Sequence, residues 1–562
     1  MNQVSGVVGK SPCPLNRTVG SRWTLLAIAV IAISVALPRL LAEEGVTSSV
    51  TLKEMLDLVL AHNESLQVKI LEAQIGQKTY ESEKGIFEPH VVGSVERNES
   101  RRENNTQQLL SLGFSPTAEF SERNTLYHGG LQLLAPTGAR IDAGYNLREL
   151  SNSLQQGGKR EYETFVGLNI SQPLLKNFGP GATMARLRIA ALGSDIAFQE
   201  YRRHLMLLVA QVESSYWDLY LAQEQERLSE ESVTLSRKIL EDNRARSEVG
   251  LSTELEVLQA QAQLVLRQTR NNEARLKVFE QGKRLSAFYS DAGIRTGVFF
   301  RVIDKPEVHE FELTPFNNYQ MAFSLNPDYW IRMRQVDQEV IKVKYAGNQR
   351  MPQLDLKGSY GFNGLGSSAG ASLDRLSDTT HPAWTLGVEM RIPITGGIRE
   401  RKDLEAAELA RKRALANLKD AESQIAGSLD SGIQRVKTFL KMVESYQSMV
   451  DIHQKLLDAQ LAQLEVGHID TRSVMETEEK LFESKVSVIE RLVLYRKSLL
   501  ELELARGSTL QARGLEVRRG QLERTTLAAL REPKMSNEEL ERARKLLLKE
   551  MQQSSPSNTP VR

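Results

Sequence analysis

At 562 residues the chain has room for several ordinary domains, but only 6% of it is aromatic and 25% is charged. Ala, Leu, Glu, Gln and Arg fill long windows without proline, a profile of extended helices that argues against thick globular cores. The formal net charge of +1 owes its sign to four basic residues near the start, so nothing points to a nucleic-acid partner.

Residues 1–42 carry Lys10, Arg17, Arg22 and Arg39, with no acid before Glu43, around an apolar run from Trp23 to Leu37. A basic lead, a short apolar run and Leu40-Leu41-Ala42 read as a secretory signal peptide; an uncleaved membrane anchor is the alternative. The only cysteine, Cys13, precedes that run, which leaves the mature chain no thiol, disulfide or cysteine-based metal site. No later run approaches the length of a spanning helix, so entry into a membrane falls to strands.

A first structural repeat is expected over 43–314, opening with a helix from Leu52 to Gly85 that ends near Pro89. After Pro89 the pattern alternates (Val91, Gly93, Val95), and it alternates again at Val166, Leu168 and Ile170, so strands are expected within 89–172. Tyr127–Leu134 and Arg140–Leu147 flank the turn Pro136-Thr137-Gly138 and form an extra hairpin without a counterpart later in the chain. The polar stretches 98–125 and 151–163 read as long solvent-facing loops. A long helical hairpin follows over 181–289 with its tip at Glu248-Val249-Gly250.

The second repeat, 315–505, reproduces these landmarks. Asn326 stands as far before Pro352 as Asn63 does before Pro89, and strands are expected over 352–392. There Trp384, Leu386, Val388, Met390 and Ile392 alternate with a polar face that carries Glu389 and Arg391, candidates to line a watery lumen. The same alternation also suits the half-buried strand of a soluble sheet. Gly361, Gly364, Gly366 and Gly370 lack the helix start of a phosphate loop and read as a flexible loop between strands. The second hairpin spans 397–505 and turns at Glu465-Val466-Gly467. Past each tip an apolar ladder steps by seven: Val257, Leu264, Asn271, Val278 and Leu285, then at a constant offset of 217 residues Val474, Leu481, Val488, Tyr495 and Leu502. Helices from Gly181 to Gly250 and from Gly397 to Gly467 would reach about 100 Å each. Residues 506–562 form a charged extension, with a helix from Ser536 and a disordered tail.

No His, Cys or acidic residues stand at metal-ligand spacing, no nucleophile motif is present, and no cofactor is expected. The residues that stand out are at the tips. Glu256, Asp470, Arg472, Ser473 and Glu476 lie just past the turns, where a carboxylate repeated around an axis would form a ring able to gate a pore; an ordinary solvated helix face is the alternative. Val249, Leu251, Val466 and Ile469, beside Gly250 and Gly467, are apolar at an apex, which suits either docking to a partner or stapling of the turn.

The duplication, Ser171-Gln172-Pro173-Leu174-Leu175, Pro393 with Gly396-Gly397, and the tip Leu464-Glu465-Val466-Gly467-His468-Ile469-Asp470 together resemble the TolC-type outer-membrane efflux proteins over residues 50–505. The resemblance implies a membrane α+β fold: a homotrimer sharing one transmembrane β-barrel in outer-membrane lipid and one long periplasmic α-helical barrel. It implies a passive exit duct for drug efflux or type I secretion, working with a periplasmic adaptor (membrane fusion) protein and an inner-membrane transporter. A secreted helical scaffold without a pore is the competing reading. The family often carries Asp where Ser473 and Glu476 stand here, which leaves Glu476 as the acidic residue of the constriction. The extra hairpin either raises the strands per chain above the family's usual four or folds outside the barrel.

Overall fold

The computed structural model describes residues 47–111, 119–155, 159–250, 253–289, 299–308, 314–466, 468–515 and 517–520. The leading segment, the tip residues Leu251 and Gly467 and the helix expected from Ser536 lie outside the described residues.

In chain order, β1 (Thr47–Val50) leads into α1 (Leu52–His62) and α2 (Glu64–Lys84). The single helix expected over Leu52–Gly85 is therefore two, because Asn63 ends one and caps the other. Its side chain accepts from Leu66 N at 2.9 Å and donates to Phe288 O at 2.9 Å. Four strands follow: β2 (His90–Arg102), β3 (Phe120–Leu134), β4 (Arg140–Leu150) and β5 (Glu161–Pro173), with the six-residue helix α3 (Thr106–Ser111) between the first two. A short turn of helix, α4 (Gly179–Thr183), opens the hairpin of α5 (Ala185–Glu248) and α6 (Glu254–Ser286), and β6 (Phe299–Val302) returns to pair in parallel with β1.

The second repeat follows the same order with fewer strands. It runs α7 (Pro315–Leu325), α8 (Pro327–Gln349), β7 (Gln353–Gly366), α9 (Ala369–Asp374), β8 (Pro382–Arg391), α10 (Ile398–Glu465) and α11 (Thr471–Arg506), closed by α12 (Thr509–Ala512). Asn326 repeats the role of Asn63: it caps α8 through Asp328 N and donates to Ala505 O at 3.0 Å. In both repeats an asparagine thus ties the short helix to the far end of the hairpin.

One antiparallel sheet runs β2-β3-β4-β5-β7-β8. Much of what reads as loop is strand. β2 and β3 pair from His90–Gln132 out to Arg102–Phe120, so 98–102 and 120–125, the two ends of the expected loop, are ladder residues, carried by cross-strand ion pairs such as Arg123–Glu99 at 3.1 Å. The alternation is lost there because neither face is apolar. Gly361, Gly364 and Gly366 also lie inside β7, not in a loop. A Cβ at Gly361 would stand 2.3 Å from Val166 O, and one at Gly364 would stand 2.1 Å from Ser372 O of the overlying α9, so close approach explains these glycines.

The long helices α5 and α10, of 64 and 68 residues, span about 100 Å each. On the tip half they pack with α6 and α11 in the lateral order α6-α5-α11-α10; on the strand half α2 and α8 take over beside them. Midway, α1, β1, β6 and α12 wrap α5 around Met55, Val209, Tyr216, Trp217, Leu285 and Leu510. Among the described residues past Arg506, Arg513 reaches the buried Glu213 and also Glu503, each at 2.6 Å, and Arg519 contacts Ser194 at 2.7 Å; residues 521–562 lie outside the described residues. Among the described residues no helix is long and apolar enough to cross a membrane.

Candidate functional site: a two-faced sheet and the helical tips

Register divides the sheet into two faces. On one, Val91, Leu131, Ala143, Leu168, Tyr360 and Trp384 follow one another across the six strands, and they are open: Val91 is 84% exposed and Trp384 70%. Leu386, Val388 and Met390 extend this face. An apolar patch that crosses a whole sheet is far larger than water tolerates on a lone soluble chain.

The opposite face is polar and internally bonded. Gln132 donates to Asp142 at 2.8 Å, His128 pairs with Asn146 at 2.8 Å, and Arg148 meets Glu163 at 3.5 Å. Glu389 and Arg391 fall on this face, as the alternation predicts. Glu389 bridges Lys357 and Arg391, the latter at 3.1 Å.

At the other end of the molecule, each hairpin turns through a short non-helical link. Gly250 has φ +78°, with its N–H on Ser247 O at 3.0 Å. Thr253 then caps α6 in a reciprocal capping box with Glu256, whose carboxylate accepts from Thr253 N at 3.1 Å. In the second repeat Asp470 caps α11, accepting from Ser473 N at 3.1 Å and from the Ser473 hydroxyl. These two donations hold the Asp470 carboxyl below its usual range. The offset of 217 that aligns the ladders also aligns Thr253 with Asp470 and Glu256 with Ser473, so these four are one capping device in two versions. Glu256 is therefore the partner of Ser473 and not of Glu476. Arg472 and Glu476 form an exposed i,i+4 pair, Nε to Oε1 3.0 Å.

Of the apolar tip residues, Val249 (69% exposed) and Val466 stand open. Ile469 does not: it packs with Val474, Leu481 and Leu457. It precedes the cap by one residue and Val474 is the fourth of the helix, the geometry of a hydrophobic staple.

A buried charge cluster that matches no sequence motif lies below the caps. Arg267 of α6 is 4% exposed, and its guanidinium meets Glu478 of α11 at 2.6 Å and also Glu479. Glu478 accepts from Ser232 of α5 at 2.6 Å, and Arg270 reaches Glu479 at 2.5 Å. Burial pushes the Glu478 carboxyl up, whereas Arg270 and Arg267 overcome burial and hold Glu479 down. This cluster joins three helices below the caps. Beside it, a groove of about 620 Å³ between α6 and α11 is lined by Leu266, Met475, Glu476 and Glu483 among others. The signal was present in the sequence: Arg267 falls three residues after Leu264 and four before Asn271, on the ladder's own face.

A family model described as outer membrane efflux protein matches residues 55–288 and 322–508. The outer membrane protein TolC of Vibrio cholerae is 20% identical over 421 residues, 74% of this chain and 91% of that protein. Among solved structures, the CmeC outer membrane channel of Campylobacter jejuni superposes with a TM-score of 0.56 at 17% identity, covering 82% of this chain and 86% of CmeC. The open state of the MtrE outer membrane channel of Neisseria gonorrhoeae gives a TM-score of 0.52 at 15% identity, covering 83% and 91%. At these identities the structural likenesses show a shared fold.

Proposed function

The chain belongs to the outer membrane efflux protein family and is an outer-membrane exit duct of a tripartite transport system; on that premise we propose how the duct is assembled and where it is controlled. Three copies close one ring. The observation that carries this is the sheet: one face apolar and exposed, one face polar and ion-paired, and the outer edges of β2 and β8 without a partner among the described residues. Open edges do not persist in lipid, where every backbone group needs a partner. Six strands is an even number, so β8 of one copy meets β2 of the next antiparallel, and a head-to-tail ring closes.

The helices support the same arrangement. α6 exposes Leu255, Leu258 and Val265 on one flank of the layer, and α10 exposes Met449, Ile452 and Leu456 on the other. Such flanks are complementary in a ring. Within it, Glu389 and Arg391 line the lumen of the barrel, and the periplasmic mouth is framed by Asp470, Ser473, Arg472 and Glu476, with Glu256 in the capping box of the neighbouring helix. Glu476 is the gating carboxylate of this reading. Val249, Gly250 and Val466 present the docking surface for a periplasmic adaptor, together with Leu251 and Gly467 of the same turns, and an inner-membrane transporter supplies the cargo.

Conductance of the detergent-extracted protein in a planar bilayer tests the reading. A trimer whose small conductance rises when Glu476 and Arg472 are replaced together is the expected result. A water-soluble monomer, or an intact trimer that stays silent after substitution, would sink it.

A further inference from the structure

The hairpin β3–β4 has no counterpart in the second repeat, and it does not sit outside the sheet. We propose that it is built into the barrel wall, so that three copies close eighteen strands, and the barrel is as wide as the helical ring beneath it. This rests on the trimeric-duct reading above. With four strands per chain, as the family resemblance implies, the ring would hold twelve.

Pairing leaves the hairpin no way out of the wall. β3 is bonded to β2 from Phe120 to Gln132 on one side and to β4 from Thr125 to Leu134 on the other, and β4 is bonded to β5 from Arg140–Ser171 to Leu150–Glu161. Adding two strands keeps the up-and-down alternation, so β5 still arrives at the helical end and leads into α5. The inserted strands also follow the two-medium pattern of their neighbours, with Tyr127, Leu131 and Ile141 on the apolar face and His128, Gln132 and Asp142 on the polar one.

A second observation is independent of pairing length. Gly130, Gly144, Gly167 and Gly361 stand in direct register across β3, β4, β5 and β7, one row without side chains on the polar face. A Cβ at Gly130 would stand 2.9 Å from Ala143 O, and one at Gly361 2.3 Å from Val166 O. The row passes unbroken from the inserted strands into the shared ones, so all four bend at one level of one wall.

The turn of the hairpin is fixed to the neck as well. Gly138 has φ +91°, and a Cβ there would lie 2.4 Å from Asn177 O. Gly179 N donates to Thr137 O at 2.9 Å, and Thr137 donates to Gln172 at 3.0 Å.

Widths agree with the insertion. Strands about 4.8 Å apart and tilted about 40° make six strands occupy roughly 37 Å of circumference. Four helices at any level, packed about 9 to 10 Å apart, occupy nearly the same. Four strands would cover only about 25 Å and would require a taper at the neck. Because barrel diameter grows about linearly with strand number, eighteen strands give a mouth about half again as wide as twelve.

Electron cryomicroscopy of the full trimer in lipid nanodiscs decides the strand count. Eighteen strands support the proposal, and a trimer of twelve with residues 120–150 outside the wall overturns it. Absence of a trimeric barrel overturns the duct reading itself and is thereby distinguished. An orthogonal measurement uses single cysteines in a chain with Cys13 replaced by serine, which has no other cysteine. Leu131→Cys is expected to react with a lipid-soluble maleimide at least tenfold faster than with a water-soluble one, and Gln132→Cys in the reverse order. Equal reaction of both positions with the water-soluble reagent places the hairpin outside the wall and overturns the proposal.

Discussion

The two repeats agree in their helices and disagree in their strands. Caps, ladders and the asparagine ties recur at matching places, while the first repeat supplies four strands to the sheet and the second two. The ladders themselves are used unequally. Val474, Leu481, Tyr495 and Leu502 of α11 are buried, whereas on α6 the matching Val257 and Leu264 are only half-covered. α11 lies between α5 and α10, and α6 lies on the open flank. At its two rungs nearest the tips the same sequence device is satisfied inside the chain in one repeat and only half-covered in the other, whereas Leu285 and Leu502 at the far end are both buried. Helices must meet a partner side by side and tolerate no additions, but an antiparallel wall accepts strands in pairs.

The largest expected effect breaks the contact that crosses between repeats. Arg267→Ala leaves the buried Glu478 without its cation, while Glu479 keeps Arg270, and loss of one side of such a buried pair costs about 3–5 kcal/mol. Helical circular dichroism should show a tip segment melting well before the rest. Glu478 also gives the tip a pH dependence. Its folded pKa is raised, so its contribution is complete in the acid and is lost as pH rises from the ordinary carboxylate range through that raised value. Glu479, held low, acts in the opposite sense and loses its contribution only as pH falls. Glu478→Gln should therefore flatten the fall in stability that begins just above the ordinary carboxylate range and leave the loss at lower pH that Glu479 causes.

Next in size is one rung of the ladder in both repeats. Leu481→Ala removes a buried side chain and should cost about 2–5 kcal/mol whether or not the chain is assembled. Leu264→Ala should cost clearly less in the separated chain and approach the same loss only in the trimer. Equal costs in the separated chain would erase the contrast between an inner and an outer ladder.

How much of this was legible follows from where each signal resides. The hairpins, the ladders and the turn at Gly250 could be read because period and offset are properties of the sequence alone. The division at Asn63 could not, because it depends on a carbonyl at Phe288 that the chain brings there only on folding. The outer ends of β2 and β3 read as loop because both of their faces meet water and alternation carries no information there. The four-glycine row was hidden for a different reason: its members belong to four strands, and only register aligns them. Of the tip residues, Glu256 and Asp470 stand out by charge but serve as capping-box partner and cap, while Arg267 gives no such signal because a charge on a coiled-coil face reads as solvated.

A smaller effect is expected at the neck. Gly138→Ala places a side chain at φ +91° and against Asn177 O, a strain of about 1–3 kcal/mol. If β3–β4 belongs to the wall, the trimer should dissociate at lower temperature in detergent while α5 and α10 keep their helix content. A change confined to the helices would argue that the turn serves the neck alone.

The smallest expected effect separates two roles that meet in Asp470. As the cap of α11 it should be worth about 1 kcal/mol, lost in Asp470→Ala. Asp470→Asn keeps a good capping side chain and removes the charge, so melting should stay close to that of the parent. Repeated around three copies, however, the missing carboxylate would weaken the field at the periplasmic mouth, and cation preference in the bilayer should fall. Thr253→Ala provides the control, because it removes the matching cap of α6 without changing charge. If Asp470→Asn leaves ion preference untouched while Glu476→Gln alters it, the caps are structural in both repeats and Glu476 alone acts on the pore. If both are silent, the duplicated device at the tips ends the helices and does nothing more.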